Sequence, residues 1–422
     1  MFPQGRPRPG TILAYLVDAE PQTPVADALV LAFTRGLSLA EWERTGLLDR
    51  EWALYTHLGR VYRSLVLVTY GGRDDSAYHA RLQGELPDGC ALTIVSNEGG
   101  LPEAGYLAAV PGLVARVVRG GSAVVKTNQL ASGPVAHEIA SALRGAGVRT
   151  ALVVRGGYLW SRFAAHEHGP DSAQAKDAAK AEAALCRAAD AVIGTTKDMT
   201  DDLCWRYRLD PGAVHVVPNY VIDDGVPEDS VREPGLILYA GQLVPRKRVD
   251  VLIEAVSLLS SEQRSGTRLL IVGDGPELPY LTRRASELSV AAEFTPRIPH
   301  RDLLKRMSSA TLYAQASSLE GHPKTVLEAM ACGTPVVVAD APGLSAVVEN
   351  GVTGVRVPGG SAEGFANAFA GMLDDPDWRE MIGCAASRHA RTTFGVRTIA
   401  EREAEVHRAA LARGAARSRD AA

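Results

Sequence analysis

The chain has 422 residues, of which 46% are hydrophobic and 22% charged, and its formal net charge is −4. This length is too great for one ordinary core and predicts two domains. The slightly acidic balance gives no reason to expect a nucleic-acid partner. No apolar run approaches the ~20 residues of a membrane span. Five scattered cysteines without a C-x-x-C pair argue against a disulfide framework or a zinc site and fit a reducing cytoplasm.

The first half alternates short apolar runs with longer amphipathic segments. A strand over Ala28–Phe33 precedes a helix from about Leu39 to Leu58, and Thr11–Val17 has strand character ahead of both. Further strands are predicted at residues 64–68, 91–95, 123–126, 150–154, 191–194 and 213–217. Unbroken apolar strands that alternate with helices predict a parallel sheet covered on both faces.

The same rhythm restarts in the second half and predicts a second doubly wound domain. Its strands are expected at residues 236–240, 269–272, 310–314 and 336–339. Because such sheets bind ligands beyond the carboxyl ends of their strands, we expect a shared cleft between the two domains.

Between the halves, residues 223–234 are polar and broken by prolines, so they are interpreted as the interdomain linker. The predicted organisation is a domain over 1–222, this linker, a domain over 235–395, a last helix over 396–413 and a tail over 414–422. The N-terminus lacks the charged and then apolar pattern of a signal peptide, so we expect a cytoplasmic protein.

One segment of the second half combines two carboxylates with a helix N-terminus. Glu320 and Glu328 are separated by seven residues, and Pro323 between them suits the first position of a helix. The amides of Lys324 and Thr325 then become free N-terminal donors, which favour a phosphate group. The alternative is a surface ion pair between Lys324 and Glu328, with Glu320 solvated.

This segment reads Glu-Gly-His-Pro-Lys-Thr-Val-Leu-Glu and continues as Ala-Met-Ala-Cys-Gly-Thr-Pro-Val-Val. It resembles the E-x7-E motif of the retaining glycosyltransferases of family 4, which have the GT-B fold of two Rossmann-like domains. The resemblance implies that Glu320 contacts the donor sugar and Glu328 binds the ribose of the nucleotide. Gly321, His322, Lys324 and Thr325 belong to the same donor-binding segment. In GT-B enzymes the last helix often crosses back to the N-terminal domain.

The strand that ends at Ala240 leads into a second segment similar to the family's donor site. Gly241 permits close backbone approach to a ligand, and Lys247 supplies a mobile charge for the donor diphosphate. Gln242 stands where the family usually has arginine, so Arg246 or Arg248 is expected to supply the missing charge. The alternative for this segment is a solvated basic turn.

Four other residues are assigned to the site, and two of them have an alternative. Arg297 and Ile298 lie where the family holds the nucleotide base through the backbone. Gly36 lies in the position of a glycine-containing loop that closes on the donor, although Ser38 beside it is also a helix N-cap. Arg155 ends a strand where relatives often have histidine. It is assigned to the leaving diphosphate as a fixed cation, or else to a structural pair with a carboxylate.

The resemblance therefore implies a retaining hexosyltransferase that needs no metal and no cofactor besides its nucleotide diphosphate sugar. Glu320, Lys247 and Arg155 are the predicted catalytic residues, acting by position and charge. The expected acceptor is a glycan or a lipid-linked molecule in surface polysaccharide biosynthesis. The apolar segment 105–119 either meets a membrane surface, which would place the protein at the inner face of the membrane, or packs as an ordinary helix.

Other functions stay open at this stage. A nucleotide-sugar epimerase or hydrolase of the same fold would keep the nucleotide pocket but need no acceptor. A non-catalytic nucleotide-sugar binding protein would fit the departure at Gln242 and the missing histidine. A dinucleotide-binding oxidoreductase is disfavoured, because no Gly-x-Gly-x-x-Gly follows the first strand of either half.

Overall fold

The computed structural model describes residues 23–222 and 231–420. The predicted strand over Thr11–Val17 and residues 223–230 of the predicted linker lie outside the described residues. The strands of the N-terminal half are β1 Ala26–Ala32, β2 Tyr62–Val68, β3 Ala91–Val95, β4 Ser122–Thr127, β5 Arg149–Gly156, β6 Ala191–Gly194 and β7 Val214–Val216. They form one parallel sheet in the order β3-β2-β1-β4-β5-β6-β7.

Helices cover both faces of this sheet. They are α1 Leu39–Arg44, α2 Leu48–Leu58, α3 Arg73–Ser76, α4 His79–Gly84, α5 Glu103–Val117, α6 Gly133–Gly145, α7 Trp160–His168, α8 Ala173–Ala188 and α9 Lys197–Tyr207. Alternate residues of β1 enter two separate cores, with Leu29 and Leu31 on one face and Ala28 and Val30 on the other. This two-faced burial is what the unbroken apolar strands predict.

The C-terminal half repeats the plan around a smaller sheet. Its strands are β8 Glu233–Ala240, β9 Arg268–Val272, β10 Ala292–Thr295, β11 Ala310–Gln315, β12 Val336–Ala339 and β13 Val355–Val357. They pair in parallel in the order β10-β9-β8-β11-β12-β13. The helices are α10 Val249–Ser257, α11 Ser261–Ser265, α12 Leu278–Glu287, α13 His300–Ser309, α14 Lys324–Ala331, α15 Ala362–Asp374, α16 Pro376–Phe394 and α17 Val396–Asp420. The predicted pair of doubly wound sheets is confirmed.

Several boundaries differ from the sequence-based expectation. The predicted helix over 39–58 is two helices, because Gly46 takes a left-handed φ of 67° and the chain turns there. The strands β10 and β13 were not predicted. Both are short and lie at the edges of the sheet, where fewer side chains are buried than in a central strand, so their sequences lack a continuous apolar run. The strand β8 begins at Glu233, inside the predicted linker, and α17 continues past the predicted end at Arg413 to Asp420.

The apolar segment over 105–119 forms most of α5. Its side chains Tyr106, Val110 and Val114 are buried in the N-terminal core, while Arg116 and Arg119 are exposed. The reading of this segment as a helix packed on the sheet is therefore confirmed.

The chain passes between the halves twice, and the two passages lie side by side. The amide of Val221 donates to the carbonyl of Phe394 at 2.8 Å, and the amide of Val396 donates back to Val221 at 2.9 Å. Beyond this paired crossing, α17 packs on the N-terminal sheet. Its apolar residues Ile399 and Leu411 belong to the N-terminal core.

A buried charge cluster fixes α17 to this sheet. The carboxylate of Glu403 on α17 is fully buried and forms ion pairs with Lys126 of β4 and with Arg155 of β5, the latter at 3.0 Å. One turn along α17, His407 Nδ1 lies 2.8 Å from the hydroxyl of Tyr62. Burial raises the pKa of Glu403, but the two cations outweigh it and bring the value to about 2. The carboxylate is therefore charged at neutral pH.

We expect Glu403→Gln to lower the free energy of unfolding by about 3–5 kcal/mol, because it leaves two buried cations without their anion. Urea denaturation measures this loss. The control is Glu401→Gln on the same helix, whose partly exposed carboxylate pairs with Arg397. Loss of this surface ion pair should lower the free energy of unfolding by less than about 1 kcal/mol. Equal, small effects of both variants would contradict the proposed importance of the cluster.

Stability is also expected to fall as the pH is lowered. Burial brings the pKa of His407 to about 4 and that of His322 to about 3, from an ordinary value of 6.5. The unfolded chain therefore binds these protons first, so their contribution is complete above about pH 6.5 and is lost on acidification towards pH 3. Glu403 and Glu51, whose pKa values are both about 2, add a second loss below about pH 4.5. Urea midpoints measured from pH 7 to pH 4 test this, and a flat profile would contradict it.

Candidate active site

The carboxyl ends of the two sheets face one cleft of about 560 Å³, and both halves contribute residues to its lining. Thr34, Asn128 and Tyr158 follow strands of the N-terminal sheet, while Ala240 ends a strand of the C-terminal sheet. Many of the predicted site residues line this cleft. They are Gly241, Gln242, Lys247, Glu320, Gly321, His322, Lys324 and Thr325.

The first carboxylate of the motif, Glu320, is held by cations within the C-terminal half. Lys247 Nζ lies 2.5 Å from Glu320 Oε1, and Arg246 Nη1 lies 3.4 Å from Oε2. The side-chain amide of Gln315 also donates to Oε1, at 2.7 Å. Burial raises the pKa of Glu320, but Lys247 and Arg246 outweigh burial and keep the carboxyl below its ordinary value. The site therefore presents one carboxylate and two adjacent cations.

Two basic residues that follow β8, Arg246 and Lys247, are partly buried, and each has a defined partner. Besides Glu320, Arg246 donates to the carbonyl of Leu319 at 2.7 Å, and its guanidinium lies 4.8 Å from the ring centroid of Phe163 in the N-terminal half. The alternative of a solvated basic turn is therefore wrong. Gln242 adds no charge beside them, and its carbonyl accepts from the hydroxyl of Tyr239 at 3.0 Å.

Glu328, the second carboxylate, is only 3% exposed and does not line the cleft. His300 Nε2 lies 3.0 Å from its Oε1, and Arg50 of α2 lies 3.6 Å from the same atom. Burial raises the pKa of Glu328, but the hydrogen bond from His300 and the charge of Arg50 lower it below its ordinary value. Its Oε2 has no hydrogen-bond partner among the described residues. The N-terminal half thus covers this carboxylate.

Lys324 also contacts the N-terminal half. Its ammonium lies 2.6 Å from the carboxylate of Glu51, the neighbour of Arg50 on α2, and 5.1 Å from the ring centroid of Tyr220. The alternative in which Lys324 pairs with Glu328 on the helix surface is therefore wrong. Pro323 is the N-cap of α14 and not its first residue, so Lys324 and Thr325 occupy the first turn, where amides have no intrahelical acceptor.

Arg155 is placed differently from the catalytic expectation. It is buried, does not line the cleft, and directs its guanidinium to Glu403, to the carbonyl of Pro218 at 3.2 Å and to Asn219 Oδ1 at 3.3 Å. The structural alternative therefore describes this residue. Asn219 in turn donates to the carbonyl of His322 at 2.7 Å, so the cluster on α17 is connected to the donor segment.

Three other predicted residues lie outside the lining of the cleft. Gly36 is exposed, and Ser38 accepts from the amide of Glu41 at 3.0 Å, so the N-cap alternative is confirmed for that loop. The amide of Arg297 is 3.3 Å from Asp274 Oδ2. The carbonyl of Ile298 lies beside the turn at Gly46, where an added Cβ would come within 3.3 Å of it.

At two positions a neighbouring group lies so close to the backbone that only glycine fits. A Cβ on Gly241 would lie 2.7 Å from the hydroxyl of Tyr239. A Cβ on Gly321 would lie 2.0 Å from the carbonyl oxygen of Gly157, which belongs to the N-terminal half. Since real Cβ atoms do not approach backbone so closely, Gly321 allows the two halves to meet beside Glu320.

Sequence reasoning did not find the contacts that cross the cleft. Arg50 and Glu51 lie in an amphipathic helix without a motif, and nothing in their spacing indicates a partner about 270 residues away. His300 begins α13, and no motif of the sequence indicates that it pairs with Glu328. Among the described residues, no group of three or more His, Cys, Asp or Glu side chains could hold a metal ion. Within residues 23–222 and 231–420, no helix is long and apolar enough to cross a bilayer.

The family comparisons agree with this architecture. The profile of "Glycosyltransferase Family 4" matches residues 62–224, and that of "Glycosyl transferases group 1" matches residues 226–389. A D-inositol 3-phosphate glycosyltransferase of Streptomyces scabiei is 31% identical over 54% of this chain and 56% of its own length. The homologue of Kribbella flavida is 32% identical over 54% of this chain and 58% of its own. The chain thus spans about half the length of these curated relatives.

Solved structures share the fold over nearly the whole chain. Anabaena Alr3699/HepE, solved in complex with UDP-glucose, has a TM-score of 0.69 and 19% identity, and the match covers 90% of this chain and 98% of that one. TarM has a TM-score of 0.71 and 12% identity, with 92% of this chain and all of that one covered. Two matching profiles and two facing Rossmann-like domains lead to one conclusion: the chain belongs to the group 1 glycosyltransferases of family 4 and has the GT-B fold.

Proposed function

We propose that this chain transfers a sugar from a nucleotide diphosphate sugar to an acceptor hydroxyl, with retention at the anomeric carbon and without a metal ion. The observation that carries the proposal is the pairing of Glu320 with Lys247 and Arg246 at the N-terminal end of α14. The relatives named D-inositol 3-phosphate glycosyltransferase and the neighbour solved with UDP-glucose support it.

In this proposal the donor diphosphate lies between the first turn of α14 and the basic segment after β8. Negative charge grows on the diphosphate as its bond to the anomeric carbon breaks. This charge is stabilised by the amides of Lys324 and Thr325 and by the ammonium of Lys247. The acceptor oxygen bonds to the same face of that carbon, and its proton passes to a departing diphosphate oxygen. Glu320 holds the sugar hydroxyls, so catalysis is positional and electrostatic.

The ribose is proposed to take the place that Arg50 holds beside Glu328. Oε2 of Glu328 has no partner among the described residues, and its neighbour Oε1 is 3.6 Å from Arg50. Ribose hydroxyls are donors and can replace this guanidinium if α2 moves away from α14. The acceptor is proposed to be a glycan or lipid-linked molecule, at the cytoplasmic side of the membrane in surface polysaccharide biosynthesis.

The proposal predicts that one nucleoside diphosphate among UDP, GDP, ADP and TDP binds the protein in the absence of metal. Calorimetric titration with EDTA and then with magnesium measures this, and the affinity should not change by more than about twofold. Transfer from the matching nucleotide sugar then distinguishes the open alternatives. An epimerase or hydrolase would turn the donor over without an acceptor, and a binding protein would not turn it over at all.

Glu328→Gln is expected to weaken binding of the free nucleotide by about tenfold, since a charged hydrogen bond to the ribose contributes about 1.5 kcal/mol. Glu320→Gln is the matched control, because it changes the carboxylate that should contact only the sugar. It is expected to spare the free nucleotide and to weaken the nucleotide sugar or slow its turnover. Unchanged nucleotide affinity in Glu328→Gln, with unfolding like that of the wild type, would exclude the ribose assignment.

A further inference from the structure

A second cavity, of about 830 Å³, lies in the N-terminal half between α5, α6 and α8. Its size is within the range of pockets that enclose small-molecule ligands. The lining is mainly apolar and includes Leu107, Leu130, Pro134, Val135, Trp160 and Leu185. No residue of the donor segment contributes to it, so the site described above does not account for this cavity.

The cavity adjoins the donor cleft at three strand ends. Thr34 after β1 lines the cleft and its neighbour Arg35 lines the cavity. In the same way, Gln129 after β4 lines the cleft and Leu130 lines the cavity. After β5, Tyr158 lines the cleft and Trp160 lines the cavity. The cavity and the donor cleft are therefore lined by neighbouring residues of the same three loops.

The charges around the cavity do not favour an anionic ligand. Among its described lining residues the only guanidinium is that of Arg35, which is already paired with Glu103 at 2.5 Å. Two carboxylates, Glu138 and Glu182, also belong to the lining. Glu182 is buried and accepts from the hydroxyls of Ser161 and Tyr207. A phosphate would find no uncommitted guanidinium or ammonium there.

The apolar lining is partly open to solvent. Trp160 is 41% exposed, and Leu107 and Leu185 are half-buried. Such an apolar surface in a concave site favours a ligand that removes it from water. One polar atom, His137 Nδ1, is buried without a hydrogen-bond partner among the described residues. The lining therefore favours an apolar ligand.

We propose that this cavity binds the acceptor through an apolar aglycone, a hydrocarbon chain or an aromatic group, and presents the acceptor hydroxyl to the donor cleft. The inference rests on the proposed transferase function and narrows its acceptor to molecules with such a carrier. It also makes Trp160 and Leu107 residues that determine acceptor specificity. Neither lies in the donor site, so the two parts of the substrate complex are separable by mutation.

The test is calorimetric titration of the full chain, saturated with the nucleotide that binds it, with three probes. Octyl β-D-glucopyranoside below its micelle concentration represents a hydrocarbon carrier, 4-nitrophenyl β-D-glucopyranoside an aromatic one, and myo-inositol 1-phosphate an anionic polyol. We expect at least one glucoside to bind, and to bind about tenfold more weakly to Trp160→Ala and Leu107→Asp. The matched controls are Trp205→Ala, at an 81% exposed residue, and Leu101→Asp, at a 47% exposed one, both outside the cavity. They should change affinity by less than about twofold.

Binding of octyl glucoside alone identifies a hydrocarbon carrier, and binding of the aromatic glucoside alone identifies an aryl carrier. The proposal is overturned if neither glucoside binds, if only the phosphorylated polyol binds, or if the cavity variants bind as the controls do. Nucleotide affinity in the same samples should be unchanged in all four variants. If no nucleotide binds but a glucoside binds with the expected variant pattern, the transferase proposal fails while the apolar site stands.

Discussion

The position of the two halves relative to each other depends on the ion pairs of the Glu403 carboxylate. It is the anion shared by Lys126 and Arg155 in the interior of the N-terminal half, and it is carried there by a helix that follows the entire C-terminal half. A buried carboxylate with two cations is costly to separate, because each charge would remain in a medium of low dielectric. These ion pairs therefore keep α17 bound to the N-terminal sheet, and α17 in turn fixes the position of the C-terminal half.

The same cluster reaches the donor segment through one side chain. Arg155 binds Asn219, and Asn219 holds the carbonyl of His322, two residues from Glu320. Around the cleft, the charges neutralise one another in pairs. Lys247 pairs with Glu320 within the C-terminal half, while Lys324 pairs with Glu51 and Arg50 with Glu328 between the halves. A donor diphosphate brings two or more negative charges into this set and exchanges partners with it. The protein therefore need not present unpaired buried charges before the donor arrives.

The sequence was sufficient for features that arise from local pattern. Apolar strands such as Val336–Ala339 were found because central parallel strands are buried on both faces, and the E-x7-E segment because its chemistry lies within nine consecutive residues. The edge strand Ala292–Thr295, by contrast, has a charged residue in its short run. Arg155 was given the wrong first assignment because its partner, Glu403, is 248 residues away. Contacts of that kind depend on topology and leave no trace in spacing.

The paired crossing at Val221 and Gly395 has a consequence for how the protein is made. Ile399, Ala404 and Leu411 of α17 pack in the N-terminal core, yet they leave the ribosome after the strands of both sheets. The strands β8 to β13 of the C-terminal half are synthesised before α17. Until α17 is synthesised, the face of the N-terminal sheet that it covers stays exposed to solvent. During synthesis the second domain can close before the first, and a chain stopped at residue 395 would expose the N-terminal core to aggregation.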